Sequence, residues 1–456
     1  MSNPTPHTLR QRTVKPERIL ALGFLIVILV GALLLMLPVC ASGGRSIGLL
    51  AALFTATSSV CVTGLSIIDV GKDLSLVGQI IQLALIQVGG LGFMAFATLI
   101  MSALGRKMSL KSRLLLRDSM NQTTLKGMVH LSLLFFLMAV VIEAIGALLL
   151  MIRLVPLYGR QGVWYSFFTA VSAFCNAGFD LFGSGNSITH LADESYVLAV
   201  IAGLIILGGL GFGVILECLH HRFRWKALSL HAKMVLTATG VLLVSGTLAT
   251  LALEWMNPAT LGALSAGDKL MNGLFQSVTL RTAGFAAVDQ ASLTDSSKLL
   301  GIPFMFIGAS SASTGGGVKT TTAAMLLLVV ISVIRGRERI QLFGREISAD
   351  TVRRAMTISL IGLTMVVAFA CAISVIEGGK GFDMLDLLFE TTSAFSTTGL
   401  SSVGTSNLSA ASQWMLMPLM YLGRVGPLTL ALALASRMER GRSAKVHYPE
   451  EKIMIG

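Results

Sequence analysis

A short segment that begins at phenylalanine and closes on glycine occurs four times in this chain of 456 residues. The copies span 54–64, 168–178, 275–284 and 389–399, with Phe-to-Gly spacings of ten, ten, nine and ten residues. Each copy lies between two long apolar stretches, and the copies recur at intervals of about a quarter of the chain. This pattern predicts a fourfold repeat of one membrane unit around a common axis.

The apolar stretches are long enough to cross a membrane. The chain is 54% hydrophobic and only 13% charged, which is typical of integral membrane proteins. A hydrocarbon core of about 30 Å needs roughly 20 apolar residues. We therefore expect eight spans, near 19–38, 77–104, 129–152, 196–219, 231–255, 298–334, 355–376 and 411–436. The first run is kept as a span, because 37–40 lacks the small-x-small pattern of a signal-peptide cleavage site.

The distribution of cations predicts the topology. Of the 35 Lys and Arg residues, 25 lie in five clusters: 10–18, 106–126, 222–233, 335–354 and 437–452. Cytoplasmic loops carry the excess of Lys and Arg, so both termini and three loops are predicted to be cytoplasmic. The net charge of +12 is then a sign of topology and not of nucleic-acid binding.

The remaining loops carry mainly acidic side chains. The carboxylates on this outer side are Asp69, Asp73, Asp180, Asp193, Glu194, Glu254, Asp268, Asp289, Asp295, Glu377, Asp383 and Asp386. Acidic groups around a narrow entrance raise the local cation concentration. Ordinary solvated loops are the alternative for any single residue, but the clustering near the glycine loops favours an entrance for cations.

The Phe-to-Gly segments are too short to span. Segments such as 49–60 and 383–395 are typical of re-entrant helices. Irregular backbone at membrane depth is tolerated only where it is buried in protein or lines a water-filled cavity. We predict an all-α membrane protein of four consecutive helix–pore loop–helix (M1-P-M2) units around a central pore, with eight transmembrane helices and four re-entrant pore helices.

The predicted division of the chain follows the repeat. It comprises a basic cytoplasmic N-terminus 1–18, unit 1 at 19–104, unit 2 at 129–219, unit 3 at 231–334, unit 4 at 353–436 and a cytoplasmic C-terminus 437–456.

The residues at the end of each loop are candidates for a selectivity filter. Small side chains and a glycine leave the main chain free to turn its carbonyl groups inward, and rings of carbonyl oxygens can replace the hydration shell of K⁺. Glycines that serve only helix packing are the alternative. The candidate ion-binding residues are Val62, Thr63, Gly64, Asn176, Ala177, Gly178, Thr282, Ala283, Gly284, Thr397, Thr398 and Gly399.

The loops 276–285 and 391–399 resemble the third and fourth pore loops of the Ktr/Trk/HKT superfamily of potassium transporters. The resemblance covers nearly the whole chain. Without an additional helix pair before the first unit, the chain is more similar to the KtrB branch than to the TrkH branch, and its end at 449–456 also resembles KtrB, where it packs at the homodimer interface.

Two features depart from the repeat. Arg424 stands where the first two units have Gly90 and Gly209, and an ionisable residue in a span should face the interior or water. Snorkelling to the cytoplasmic interface is the alternative. The resemblance implies that Arg424 is the arginine of the pore constriction.

The second departure is the glycine-rich run 308–322, which would make a poor helix. It is not a phosphate loop, because Val318 separates Gly317 from Lys319. The resemblance implies an intramembrane gating loop that contains Gly315, Gly316, Gly317 and Lys319, with Lys319 holding the closed state through acidic partners.

Other ionisable residues at membrane depth allow several interpretations. Arg281 and Glu390 could form a pair that braces neighbouring filter segments, or they could form separate hydrogen bonds to pore-helix ends. For Glu143 we expect a buried pairing with a polar neighbour rather than an ion relay, and for Glu217 a position at the cytoplasmic boundary.

We expect K⁺ uptake across the cytoplasmic (inner) membrane of a bacterium. The chain has no nucleophile–base set, paired catalytic carboxylates or metal-ligand spacing, so it is not expected to be an enzyme. The resemblance implies a homodimer, Na⁺ as activator, and a cytoplasmic KtrA-like regulatory ring, with ATP/ADP or NAD bound only through that partner. A TrkH-like potassium permease and a secondary transporter with re-entrant loops remain alternatives.

Overall fold

The computed structural model describes residues 16–92, 128–336 apart from 184 and 186, and 340–426. Most of the predicted N-terminal segment, the cationic cluster 106–126 and the predicted C-terminus 437–456 lie outside the described residues. Nearly all regular structure in the described residues is helical. The helices are α1 (Pro16–Leu35), α2 (Leu49–Cys61), α3 (Val70–Asp73), α4 (Leu76–Leu91), α5 (Met128–Tyr158), α6 (Gln161–Phe174), α7 (Ser195–Leu210), α8 (Phe212–His220), α9 (Leu230–Glu254), α10 (Ala266–Thr279), α11 (Asp295–Phe306), α12 (Thr320–Ile334), α13 (Ala349–Ile376), α14 (Met384–Ser396) and α15 (Ala410–Val425).

Short elements connect these helices. One antiparallel hairpin pairs β1 (Gln341–Leu342) with β2 (Arg345–Glu346). Within the described residues, single 3₁₀ turns lie at Pro38–Cys40, Thr189–Leu191, Trp225–Ala227 and Thr405–Asn407.

Four helices in the described part of the chain are long and apolar enough to cross a membrane, namely α1, α5, α9 and α13. Large side chains on them are exposed, for example Leu148 (64%), Val244 (61%) and Leu360 (67%). Exposed apolar side chains on a spanning helix are expected to face lipid, because the hydrocarbon core is itself apolar.

The other four predicted spans are interrupted helices where the structure describes them, and the ends of two of these spans, 93–104 and 427–436, lie outside the described residues. Helices α7 and α8 meet at Gly211 with a bend of 95°. The glycines that follow α4 and α15, Gly92 and Gly426, have φ of 82° and 92°, as Gly211 has φ of 92°. Positive φ ends a right-handed helix at little cost only for glycine. The run 298–334 is divided, because α11 ends at Phe306 and α12 begins at Thr320.

Four short helices, α2, α6, α10 and α14, carry the repeated segments. Each packs on the long helix that precedes it. The helices that return after each loop also pack on the short helix of the following copy: α4 on α6, α7 on α10, α11 on α14, and α15 on α2. The last of these contacts joins the end of the described chain to its beginning, so the four copies form a closed ring.

The phenylalanine that begins each repeat anchors its short helix. Phe54, Phe168, Phe275 and Phe389 are all 0% exposed. A buried aromatic side chain contributes a large apolar contact area. The same anchor at four places gives the four short helices equivalent packing.

Two carboxylates fix the connections of the third and fourth copies. Glu254 accepts hydrogen bonds from Thr294 N (3.0 Å) and Oγ1 (2.7 Å), at the start of α11. Glu377 accepts from Ser409 N (2.8 Å) and Oγ (2.5 Å), at the start of α15. Both carboxylates satisfy groups at a helix N-terminus, where negative charge is favourable.

Candidate functional site

The four loops share an unusual backbone. The residue two before each glycine is left-handed, with φ of 57°, 59°, 62° and 55° at Val62, Asn176, Thr282 and Thr397. Such angles are uncommon for residues other than glycine. The glycines themselves have φ of 91°, 70°, 81° and 92° at Gly64, Gly178, Gly284 and Gly399. The recurrence at four equivalent positions indicates one loop geometry repeated in all copies.

The loops meet in a ring. A Cβ added to Gly64 would lie 2.6 Å from the carbonyl oxygen of Ala177, and one added to Gly178 would lie 2.8 Å from that of Ala283. The remaining pairs follow the same rule: Gly284 approaches the Thr398 oxygen (2.6 Å from an added Cβ), and Gly399 approaches the Thr63 oxygen. Each glycine therefore faces the carbonyl before the next glycine, and the fourth copy closes on the first. There is no room for a side chain at any of the four positions.

A hydroxyl group four residues after each phenylalanine supports the loop. Ser58 Oγ accepts from Gly64 N at 3.1 Å, and Ser393 Oγ accepts from Gly399 N at 3.0 Å. Ser172 Oγ accepts from Phe179 N at 3.0 Å, and Thr279 Oγ1 donates to the oxygen of Phe285 at 2.6 Å. Our reading of the sequence missed these four residues, although their position relative to Phe is the same in every copy.

The shorter spacing of the third copy has a local cause. In the other copies the residue before the glycine donates to a carbonyl five residues earlier, as Thr63 N does to Ser58 O at 2.8 Å. In the third, Ala283 N donates to Thr279 O, four residues earlier, at 3.1 Å. The third copy therefore needs one residue fewer between its phenylalanine and its glycine, and Gly284 still occupies its place in the ring.

A cavity of about 360 Å³ opens above the ring and is lined by all four glycines. Asp69, Asp180 and Asp289 also line it. Burial raises the pKa of Asp180 to about 6, and the charge of Asp69 adds to this rise, while a hydrogen bond from Phe182 N opposes it. Carboxylates in a concave site concentrate cations.

Several other acidic residues of the outer loops have structural partners, which corrects the expectation that the set as a whole forms the entrance. Glu194 forms an ion pair with Arg153 at 2.7 Å, and Asp386 with Lys298 at 2.9 Å. Glu254 and Glu377 cap helices, as described above.

On the other side of the ring, three glycines permit close helix approach. A Cβ on Gly89, Gly208 or Gly423 would overlap the carbonyl oxygen of Val60, Phe174 or Phe395, respectively. These oxygens belong to the ends of the short helices, so the returning helices press directly on the loops. The next position holds glycine in the first two copies and Arg424 in the fourth.

Arg424 bridges two parts of the chain through main-chain oxygens. Its Nη1 donates to Thr314 O, and its Nη2 donates to Gly89 O and, at 3.3 Å, to Gly90 O. The guanidinium is thus held between the end of α4 and the glycine-rich segment. Snorkelling does not describe this arrangement, because the hydrogen-bond partners are inside the helix assembly.

The glycine-rich segment, residues 307–319, is not helical. Gly316 N donates to Thr397 Oγ1 at 3.1 Å, and Thr314 Oγ1 donates to Phe174 O at 3.2 Å. A Cβ on Gly315 would overlap Thr282 Oγ1. The segment therefore contacts the second, third and fourth loops from one side of the ring, in agreement with the expected irregular structure.

Lys319 differs from expectation in its partner. Its Nζ donates to Gly315 O at 2.7 Å. The partner is thus a main-chain carbonyl within the same segment and not the carboxylate that we expected. This hydrogen bond between residues of the same segment stabilises its turn.

The remaining ionisable residues are also placed. Arg281 donates to Thr239 in α9 at 3.3 Å, and Glu390 accepts from Thr405 at 2.6 Å. The two residues thus form separate hydrogen bonds, but these partners are not the pore-helix ends that we expected. Glu143 accepts from Gln87 Nε2 at 3.0 Å and 3.1 Å, which is the expected polar neighbour.

Comparison with known proteins identifies the family. The cation transport protein family TrkH matches residues 7–446. The chain is 40% identical to the Ktr system potassium uptake protein B of Bacillus subtilis over 97% of both chains. It is 38% identical to the potassium/sodium uptake protein NtpJ of Enterococcus hirae over 98% of both chains.

The fold also has a solved counterpart. The potassium transporter TrkH from Vibrio parahaemolyticus has a TM-score of 0.72 and 18% identity, covering 96% of this chain and 88% of that chain. The expectation that the chain is not an enzyme is confirmed, since the family consists of cation transport proteins. The chain belongs to the TrkH family of cation transport proteins.

Proposed function

We propose that the chain mediates potassium uptake through the ring of four glycine loops. The observation that carries this proposal is the closed sequence of contacts in which each glycine faces the carbonyl before the next glycine. Main-chain oxygens around one axis can replace the hydration shell of K⁺. The twelve residues Val62–Gly64, Asn176–Gly178, Thr282–Gly284 and Thr397–Gly399 form the filter of this proposal.

The arrangement of the proposed units follows from the same ring. Each short helix with its long preceding helix and its returning helix makes one M1-P-M2 unit, within 19–104, 129–219, 231–334 and 353–436. Four units in one orientation around an axis argue against a secondary transporter with inverted repeats.

Growth on low potassium tests the proposal. Expression of the gene, with that of its regulatory partner, in a bacterium that lacks its own potassium uptake systems should restore growth at micromolar to millimolar K⁺. A strain carrying the empty vector is the control. If a well-expressed wild-type protein does not restore growth or K⁺ accumulation, the proposal is wrong.

Gating is the second part of the proposal. Arg424 and the segment containing Gly315, Gly316, Gly317 and Lys319 close the path beneath the ring. The support is the bridge from Arg424 to Thr314 O, together with the contacts of the segment to three loops. Deletion of 314–317 should increase K⁺ flux, whereas equal or lower flux in a well-expressed variant would contradict a gate.

Regulation and assembly complete the proposal. The similarity to a Ktr system protein supports a membrane component that acts with a regulatory partner. The proposed partner is a KtrA-like nucleotide-binding ring, and the chain is proposed to form a homodimer in the cytoplasmic membrane. Both termini are proposed to be cytoplasmic, in line with the cation clusters. Na⁺ is the proposed activator. Uptake measured with and without Na⁺, and with and without the ring protein, tests both statements.

A further inference from the structure

A second cavity lies far from the ring. It has a volume of about 240 Å³ and is lined by Lys226, Lys233 and Arg345, with Glu217 and Phe343 also in its wall. No ion pair among the described residues involves any of the three cations. We call this site the basic cavity.

The single carboxylate of the basic cavity is already engaged. Glu217 accepts hydrogen bonds from Ser229 N and, at 2.9 Å, from Ser229 Oγ. Ser229 is the residue before α9, and its Oγ in turn accepts from Ala232 N at 3.2 Å. Glu217 therefore stabilises the start of α9, and the cavity keeps an excess of positive charge.

The position of the basic cavity is given by α9. This helix of 25 residues has Ser229 at one end and Glu254 at the other. At about 1.5 Å per residue, the helix is about 37 Å long. Glu254 binds Thr294, which follows Asp289 in the wall of the cavity above the ring by five residues, so the basic cavity lies at the opposite membrane surface. The positive-inside rule makes that surface cytoplasmic.

Exposed apolar side chains lie in the wall of the basic cavity or near its lining residues in the sequence. Trp225 is 46% exposed and Phe343 is 48% exposed, and their rings are in an edge-to-face arrangement with centroids 6.2 Å apart. Leu219 is 55% exposed and Phe223 is 73% exposed. Tryptophan and other amphipathic or apolar groups beside cations are typical of the membrane interface.

The backbone in the same turn is strained. Arg222 and Phe223 are consecutive left-handed residues, with φ of 49° and 58°. Bulky side chains seldom adopt this conformation. The turn follows α8 and holds the Phe223 ring outward. Because α8 is bent by 95° from α7, it runs across the direction of the preceding span. A protein surface that faced only water would gain nothing from an exposed phenylalanine held in this way.

We propose that the basic cavity binds the phosphodiester headgroup of an anionic phospholipid from the cytoplasmic leaflet. Lys226, Lys233 and Arg345 neutralise and donate to the phosphate oxygens, while Phe223 and Trp225 lie at the level of the headgroups. Basic pockets between helices on the cytoplasmic side are suited to such headgroups. The lipid would connect the β1–β2 hairpin to the start of α9.

Lipid retention by the purified full-length protein tests the proposal without reference to transport. Native mass spectrometry and thermal unfolding in detergent would compare phosphatidylglycerol, phosphatidylcholine and inorganic phosphate. The test variant is K226Q/K233Q/R345Q. A matched control, R224Q/R335Q/R354Q, removes three exposed cations of the same surface that do not line the cavity. A charge-conserving variant, K226R/K233R/R345K, checks that the site tolerates substitution.

The wild type, the control and the charge-conserving variant should retain phosphatidylglycerol in preference to phosphatidylcholine. The test variant should lose at least about tenfold in affinity for phosphatidylglycerol, because it removes the three cations that line the cavity and donate to the phosphate oxygens, whereas the control cations lie outside the cavity. Unfolding in phosphatidylcholine alone should be the same for all, which excludes simple misfolding.

Three results would overturn the proposal. Equal losses in the test variant and the control would indicate general surface charge. Equal stabilisation by inorganic phosphate would indicate a site for a free anion. Unchanged lipid retention with lost binding of the regulatory ring would assign the cavity to a protein interface.

Discussion

Replacement of Gly399 by serine is the sharpest perturbation of the ring. A Cβ at this position would overlap the carbonyl oxygen of Thr63 and would lie 3.0 Å from Gly64 Cα. The Thr63 carbonyl must therefore move away from its place in the ring. Gly399 also has φ of 92°, which adds strain for any other residue.

The magnitude follows from the loss of one oxygen ligand. The interaction of a charged group with one polar partner contributes about 1.5 to 3 kcal/mol, and about 1.4 kcal/mol corresponds to a tenfold change in affinity. We expect Gly399→Ser to raise the KM for K⁺ uptake by at least about tenfold. Uptake of K⁺ by cells that lack other potassium transporters measures the KM directly.

Gly379 provides a matched control. It has φ of 95°, nearly that of Gly399, but an added Cβ would meet no atom within 4 Å. Gly379→Ser carries the same backbone cost, about 1 to 2 kcal/mol, without displacing a carbonyl. Its KM should equal that of the wild type. A KM for Gly399→Ser equal to that of Gly379→Ser, at equal expression, would refute the reasoning.

Three further predictions test the gate, the fold and the support of the ring. Arg424→Gln should increase K⁺ flux, because the amide cannot hold the carbonyls on both sides; flux equal to that of the wild type would contradict this role. Glu377→Gln should lower the free energy of unfolding by about 1 to 3 kcal/mol, since it weakens the hydrogen bonds from Ser409. Burial alone raises the pKa of Glu377, but hydrogen bonds from Ser409 and its neighbours lower it to about 2. The carboxylate therefore stabilises the fold above about pH 4.5 and less so as pH falls toward 2, so wild-type and variant unfolding temperatures should converge in acid. Ser393→Ala should leave Gly399 N–H without its partner and raise the KM for K⁺ severalfold, whereas an unchanged KM would indicate that the hydroxyl is dispensable.

The sequence was most informative where four copies could be compared. The position of the loops, their glycines and the departure at Arg424 all follow from alignment of one segment with the others. The supporting hydroxyl of Ser58 and its equivalents could have been found in the same way, because it recurs at one distance from phenylalanine. Repetition supplies this information, since equivalent positions must satisfy the same contacts.

Other features depend on contacts that hydropathy does not describe. The run around Gly211 is apolar throughout, so composition predicts a straight span, whereas the glycine conformation bends it by 95°. Lys319 was expected to pair with a carboxylate, but in the folded segment its Nζ donates to Gly315 O. Acidic residues such as Glu377 look like part of a cation entrance until the helix N-terminus that they cap is known.

Anomalous diffraction from crystals soaked with Rb⁺ or Tl⁺ tests the central claim most directly. These ions substitute for K⁺, and their anomalous scattering distinguishes them from the protein atoms. The account predicts a peak on the axis of the ring, among the carbonyl oxygens that precede Gly64, Gly178, Gly284 and Gly399. Peaks only elsewhere in the protein, with an ordered but empty ring, would contradict it.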